Sequence, residues 1–316
     1  DPLGGDAWEM DRGAPPMPIG LVTTPGKTYE QFHWYGSTYD TINPGCFLGK
    51  DRLKEQDVDG VDAEVLYPSQ RIMKFFMNNE DDAFHQAESD IFWYNLCLAD
   101  PGNPAVVERA CRFADLYTGH DPAIGNWDPH RHLIRSAQNG SGGAALDFHA
   151  PDRAYGWSPG MGVYGLPYYD LPGIDTAEDL KDADKAKAMG AAMARRMGRG
   201  DVVSNLFVTS LVTNAYLLTG QERYRAWVLD YAGAWAERAR ANGGLLPDNV
   251  GLSGQVGEQI DGKWYGGLYG WTWPHGFYNI QQAALVTAAN AQLLTGGDST
   301  WLELPRAQHD HVFALG

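Results

Sequence analysis

The chain has 316 residues, 44% of them apolar, which is enough for one large domain or two ordinary ones. A formal net charge of −16 and an isoelectric point near 4.8 would repel phosphate backbones, which speaks against nucleic acid as a partner. No apolar run approaches the roughly 18 residues a membrane span needs, and no leader is visible. This favours the cytoplasm slightly, although a chain that begins at Asp1 rather than Met is compatible with a leader already removed. The three cysteines, Cys46, Cys97 and Cys111, lack CxxC spacing and read as buried free thiols rather than as a disulfide framework or a structural zinc site.

Residues 1–45 are rich in Gly and Pro and read as irregular structure around the aromatic anchors Trp8, Phe32, Trp34 and Tyr35. Arg52 to Asp57 reads as a short helix stopped at Asp59-Gly60. Ala63 to Tyr67 reads as a buried strand stopped by Pro68, which completes an αβ unit. Gly5-Asp6-Ala7-Trp8, Pro44-Gly45-Cys46, Arg52-Leu53 and the run from Asp57 to Ser69 (DVDGVDAEVLYPS) resemble the amidohydrolase family that includes the aminocarboxymuconate-semialdehyde decarboxylases. That resemblance covers residues 5–87 and implies a metal-dependent TIM barrel, with zinc as the expected metal. The family pattern also asks for an HxH pair on a first strand, yet the first histidine here is His33. His309-Asp310-His311 spells HxH only at the far end of the chain.

From Phe84 the pattern becomes helical. Ala87–Ala99 and Ala105–Tyr117 follow helical apolar spacing, with Asn103-Pro104 marking a start and Tyr117-Thr118-Gly119 a stop. Residues 120–174 read as irregular. They hold Asn139-Gly140-Ser141-Gly142-Gly143, a turn without the lysine of a phosphate loop, and the aromatic run Tyr155, Trp157, Tyr164, Tyr168 and Tyr169. His130-Arg131-His132 has HxH spelling but no accompanying ligands, and reads as solvated loop.

Helices are then expected over Thr176–Met197, Val203–Leu218, Gln221–Ala241 and Tyr278–Leu294. The third places Tyr224, Trp227, Val228, Tyr231 and Trp235 on one apolar face. Asn214-Ala215-Tyr216-Leu217-Leu218-Thr219-Gly220 recurs as Asn290-Ala291-Gln292-Leu293-Leu294-Thr295-Gly296, with a looser copy at Ala114–Gly119. Each copy ends a helix, which points to stacked helical hairpins. The expected fold class is therefore mainly α: an amidohydrolase-like segment over 1–87 and a helical-hairpin domain over 88–316. In pattern, the second resembles the (α/α) toroid of glycoside hydrolases and polysaccharide lyases. About seven helices fall short of the twelve or so of a full toroid, so the toroid is read as incomplete.

Between the last two of these helices lies the stretch 242–279, with ten glycines that work against a regular helix or central strand. It concentrates the groups that carbohydrate chemistry uses. Trp264, Tyr269, Trp271 and Trp273 are candidates for stacking on sugar rings, and Asn249 and Asn279 for reading hydroxyls. Glycoside hydrolysis needs two carboxyl groups about 5–10 Å apart, and Asp248, Glu258 and Asp261 are the available set. Glu258 is favoured as the acid because its neighbours are glycines and apolar residues that would raise its pKa. Elimination needs a base and an acid instead, for which His275 and Tyr278 stand close in sequence. The leading reading is a carbohydrate-active enzyme without cofactor, a glycoside hydrolase ahead of a lyase. The alternatives are the zinc-dependent amidohydrolase or decarboxylase implied by residues 5–87, and a non-catalytic carbohydrate-binding or assembly module.

Overall fold

A computed structural model describes residues 1–8, 17–23, 27–31, 33–59, 93–146, 154–155, 157 and 165–314. The chain is mainly helical and divides into two compact units, 1–79 and 80–316. The division falls within 60–92, outside the described residues, as does the strand expected over Ala63–Tyr67.

In the first unit, β1 (Ala7–Trp8) pairs antiparallel with β2 (Met17–Pro18). The Asp1 carboxylate accepts the amides of Leu3, Gly5 and Gly36, which gathers the irregular chain. Asn43 caps a short turn by accepting the Gly45 amide at 2.8 Å, and α1 (Gly49–Asp59) follows. This helix is longer than the 52–57 expected. Trp34 and Tyr35 are exposed and Phe32 lies outside the described residues, whereas Trp8 is half-buried and donates its indole N–H to the Tyr39 hydroxyl.

The second unit is built from α2 (Pro104–Asp115), α3 (Ala183–Met197), α4 (Val208–Thr219), α5 (Glu222–Ala241), α6 (Gly276–Leu294) and α7 (Glu303–Phe313), with a further helical stretch at 93–99. Asn103 caps α2 with Pro104 in the first turn, as its spacing suggests. The helix expected over 176–197 is broken at Asp182. That side chain accepts the amides of Asp184 and Lys185 and restarts the chain as α3, after a 3-10 turn over Ala177–Lys181. The helix expected over 203–218 likewise opens as a 3-10 turn, Val203–Phe207. The C-terminal helix α7 has no counterpart in the sequence reading, and it carries His309-Asp310-His311.

Helix α4 packs against α2, α5 and α6. A two-residue connection with Gly220 at φ 64° turns the chain from α4 straight into α5, so the two are antiparallel neighbours. On α6, Thr287 donates to the Leu206 carbonyl at 3.2 Å and Asn290 to the Thr209 and Ser210 hydroxyls at 3.1 and 3.0 Å. The register rises on both helices together, so α6 runs parallel to α4. Arg225 at the start of α5 donates to the Leu294 carbonyl at the end of α6 (2.7 Å), and Arg223 pairs with Asp115 at the end of α2 (2.7 Å). Helices α2, α4 and α6 thus finish at one end of the bundle, and α5 runs back from it.

The echoed sequence is also a structural echo. Thr219 donates to the Ala215 carbonyl and Thr295 to the Ala291 carbonyl, both at 2.7 Å. Gly119, Gly220 and Gly296 take φ of 71°, 64° and 73°. Leu217 and Leu293, at matching positions, are 59% and 56% exposed. Between these helices lies the larger apolar core, where Trp235, Tyr231, Tyr224 and Val228 are fully buried and Trp227 nearly so, as the expected face of α5 requires. A second apolar cluster packs Met189 and Met193 of α3 against Leu166, Tyr168, Leu268 and Tyr269. The three thiols are free; Cys97 is buried and Cys46 and Cys111 are half-buried. Among the described residues no helix is long and apolar enough to cross a membrane.

Candidate functional site

The opposite end of the bundle is made by the glycine-rich chain between α5 and α6, and it is assembled on buried carboxylates. Asp201 is fully buried on β3 (Asp201–Val202), which pairs with β4 (Asn249–Val250). It accepts the Ile134 and Val202 amides at 2.9 and 3.0 Å, the Asn205 amide group at 2.8 Å, the Tyr231 hydroxyl at 3.0 Å and the Trp235 indole N–H at 3.3 Å. Burial pushes its pKa up to about 6, against the opposing pull of these donors and of Arg238.

Asp248 is the second such group. Its carboxylate accepts the main-chain amides of Gly266 (2.6 Å), Gly267 (3.1 Å) and Trp271 (3.0 and 3.1 Å), closing the loop on itself. A Cβ built on Gly270 would lie 1.9 Å from Asp248 Cγ, so only glycine lets the loop approach this closely. Burial raises its pKa to about 7 although the backbone amides of Gly267, Trp271 and Gly266 pull it down. Asp248 therefore shapes the loop from beneath rather than facing solvent.

The other nominated residues fall into three settings. Asn249 and Asn279 are buried; Asn249 donates to the Arg199 and Asp201 carbonyls at 3.1 and 3.4 Å, stitching strand to strand. Glu258 and Asp261 are exposed on turns. Ser253 binds the Glu258 carboxylate through both amide and hydroxyl, and Arg195 reaches Asp261 at 3.3 Å. The apolar surroundings expected for Glu258 are thus replaced by solvent and a serine. His275 and Tyr278 both stand at the start of α6, and both are exposed. His275 is the N-cap, held at φ 62°, and Tyr278 lies in the first turn of the helix.

The aromatic residues form two edge-to-face groups. Trp271 meets Trp264 at 5.9 Å and donates its indole N–H to the Leu246 carbonyl; Trp264 also meets Tyr265 at 5.3 Å. Trp273 sits between Tyr269 (5.0 Å) and Tyr168 (5.7 Å), which brings the 165–170 stretch against this loop. Tyr269 is buried, whereas the three tryptophans are half-buried.

Asp170, on that same stretch, is the hub of a charged cluster that the sequence reading passed over. Arg196, 2% exposed, binds it through both Nη atoms at 2.7 and 3.1 Å and donates to the Gly266 carbonyl at 2.9 Å. Lys263 adds a third contact at 2.7 Å. Burial pushes the Asp170 carboxyl up, but the hydrogen bonds and charges of Arg196 and Lys263 outweigh it and hold the group below the ordinary range. The Arg196 guanidinium also lies over the Tyr168 ring, 4.6 Å from its centroid, and burial holds that phenol far above its usual pKa. Arg195-Arg196 in sequence suits a helix C-terminus and gives no further signal.

The described residues gather no ligand set that fits the zinc implied by the amidohydrolase resemblance. Among the described residues no group of three or more His, Cys, Asp or Glu is gathered. His130 is exposed, His132 stands edge-on to Trp127 and His309 stacks on Phe313.

The fold and the loop define a helical-hairpin protein with an aromatic and charged face at one end of its bundle. Within that class, the chain belongs to the family described as Domain of unknown function (DUF8034), whose model matches residues 24–316 and so runs through both units. No curated protein and no solved structure matches it.

Proposed function

We propose that the helical unit is an incomplete (α/α) toroid that binds an oligo- or polysaccharide across the end formed by residues 242–279, and that it acts on the glycosidic bond there. One observation carries this reading: Asp248 fixes a loop that carries half-buried tryptophan rings and that leads into the exposed His275 and Tyr278. Sugars bind by their apolar ring faces and are oriented by a few polar groups, which is the combination present.

Of the two chemistries, the geometry favours elimination. The carboxyl groups suited to hydrolysis are divided between a buried loop former, Asp248, and two exposed turn residues, Glu258 and Asp261. His275 and Tyr278 share one helical turn at the surface. In an elimination, His275 would take the proton α to the carboxylate of a uronate ring and the C–O bond at the β carbon would break. Tyr278 would protonate the departing oxygen, leaving a double bond in the new non-reducing end.

The test is incubation with a panel of oligosaccharides, monitoring ultraviolet absorbance from the double bond and, separately, new reducing ends. Elimination predicts both signals, each reduced about a hundredfold or more by His275→Ala or Tyr278→Phe and little changed by Glu258→Gln. Reducing ends without absorbance, abolished by Glu258→Gln, would restore hydrolysis. Binding without turnover would leave a non-catalytic carbohydrate-binding module, and neither binding nor turnover would overturn the proposal.

A further inference from the structure

Helix α7 brings a histidine of its own to the glycine-rich loop. The helix is anchored to that loop as well as to α6. Gln308, 0% exposed, accepts the Leu246 amide at 2.9 Å and donates to the Gly244 carbonyl at 2.7 Å and to the Leu304 carbonyl of its own helix at 3.0 Å. The carbonyl of the same Leu246 takes the indole N–H of Trp271 at 2.8 Å. One buried residue therefore joins α7 on one side to Trp271 on the other.

His311 follows Gln308 by one turn, the spacing at which helix side chains share a face. Its imidazole meets the Trp271 ring edge-to-face, with centroids 6.4 Å apart and planes at 74°. The side chain is exposed, and neither ring nitrogen has a hydrogen-bond partner among the described residues. His309, two residues earlier, is already occupied: it stacks on Phe313 at 4.3 Å and meets the Asp310 carboxylate at 3.2 Å.

A neutral imidazole offers one donor and one acceptor, which matches a sugar hydroxyl, and a tryptophan beside it supplies the apolar surface that the ring face of a sugar needs. The helix that carries His311 is locked to the loop through Gln308, and the ring contact with Trp271 places the imidazole without using its nitrogens. Little freedom is then lost when a ligand arrives.

We infer that His311 is a binding residue of the ligand face and hydrogen-bonds a hydroxyl of the sugar that lies against Trp271. This rests on the carbohydrate reading above and adds to it a contact from outside residues 242–279.

Two substitutions divide what the imidazole does. His311→Phe keeps a ring edge against Trp271 and removes both nitrogens, whereas His311→Gln keeps a donor and an acceptor and removes the ring. Calorimetric titration uses trimers of glucose, xylose, galacturonate and glucuronate. For each trimer that the unaltered protein binds, affinity should be about five- to tenfold weaker in His311→Phe and largely kept in His311→Gln. Thermal unfolding of both variants checks that the fold survives. In magnetic resonance spectra of the unaltered protein with labelled histidine, the same trimer should shift the His311 ring signals and leave those of His309 in place. Undiminished affinity in His311→Phe, a loss in His311→Gln as large as in His311→Phe, or His311 signals that move no more than those of His309 overturns this assignment and leaves the carbohydrate reading standing. Failure of the unaltered protein to bind any trimer overturns both.

Discussion

The two ends of the helical bundle are closed by different physics. At one end α4 and α6 each stop at a left-handed glycine, Gly220 and Gly296, and the preceding threonine returns a hydrogen bond to the carbonyl four residues back. Everything needed for those stops lies within about one turn of sequence. At the other end the chain between α5 and α6 makes little regular structure, and its closure depends on Asp248 and Asp201, buried carboxylates whose donors come from residues up to 67 positions away. Local chemistry can be repeated, and here it is. Closure by donors gathered around the buried acids Asp201 and Asp248 is not repeated in the sequence, and it is made where the aromatic and charged side chains are concentrated.

The largest test of this contrast is Trp235→Ala. It removes a fully buried ring and one donor to Asp201, and it should cost about 3–5 kcal/mol in denaturant unfolding. An unchanged midpoint would detach the loop end from the core.

Next comes pH. In the native state burial raises the pKa of Asp248 to about 7 and of Asp201 to about 6, whereas unfolded both return near the ordinary carboxyl value of 3.8. The native state then holds more protons than the unfolded one between about pH 4 and pH 7, so stability falls as pH rises through that window and levels off above it. Asp248 alone corresponds to about 4 kcal/mol at about 1.4 kcal/mol for each pH unit. Carboxyls held low, such as Asp170, lose their contribution only when pH drops below the ordinary carboxyl range, outside that window. Urea unfolding at pH 5 and pH 8 should show the protein more stable at pH 5; the reverse order would mean these two acids are not buried as described.

Two glycines then separate the ends directly. Gly270→Ala pushes a methyl group onto Asp248 and should cost about 1–3 kcal/mol, with a change in tryptophan fluorescence as Trp271 moves. Gly220→Ala meets open space and carries only the strain of a left-handed backbone, about 1 kcal/mol, with no fluorescence change. Equal losses at the two positions would erase the distinction between the ends.

The same contrast governs what could be read from the residues alone. The helices, the buried face of α5 and the Leu-Thr-Gly stops were legible, because apolar spacing and a terminal glycine are local signals. The break at Asp182 was obscured by continuous helix-favouring residues on either side, although an Asp before Ala-Asp-Lys is itself a capping signal. Helix α7 was hidden by Pro305 and by the HxH spelling that drew attention to His309 and His311. At the site, the concentration of aromatics in 242–279 was visible, but which carboxylates would be buried was not. Asp248 looks no different from Asp261 until Gly266, Gly267 and Trp271 fold back over it. The cluster of Asp170, Arg196 and Lys263 spans 93 residues and has no signature at any one of its positions.

Asp201 ties Ile134, its own strand, Asn205 and two residues of α5 to a single carboxylate. None of these donors can be released alone without leaving a buried acid short of partners, so they open as one event. In hydrogen–deuterium exchange the amides of Ile134 and Val202, on different stretches of chain, will therefore exchange at a common slow rate. The glycine stops at the far end will fray residue by residue, so the bundle loosens first at the end away from the glycine-rich loop.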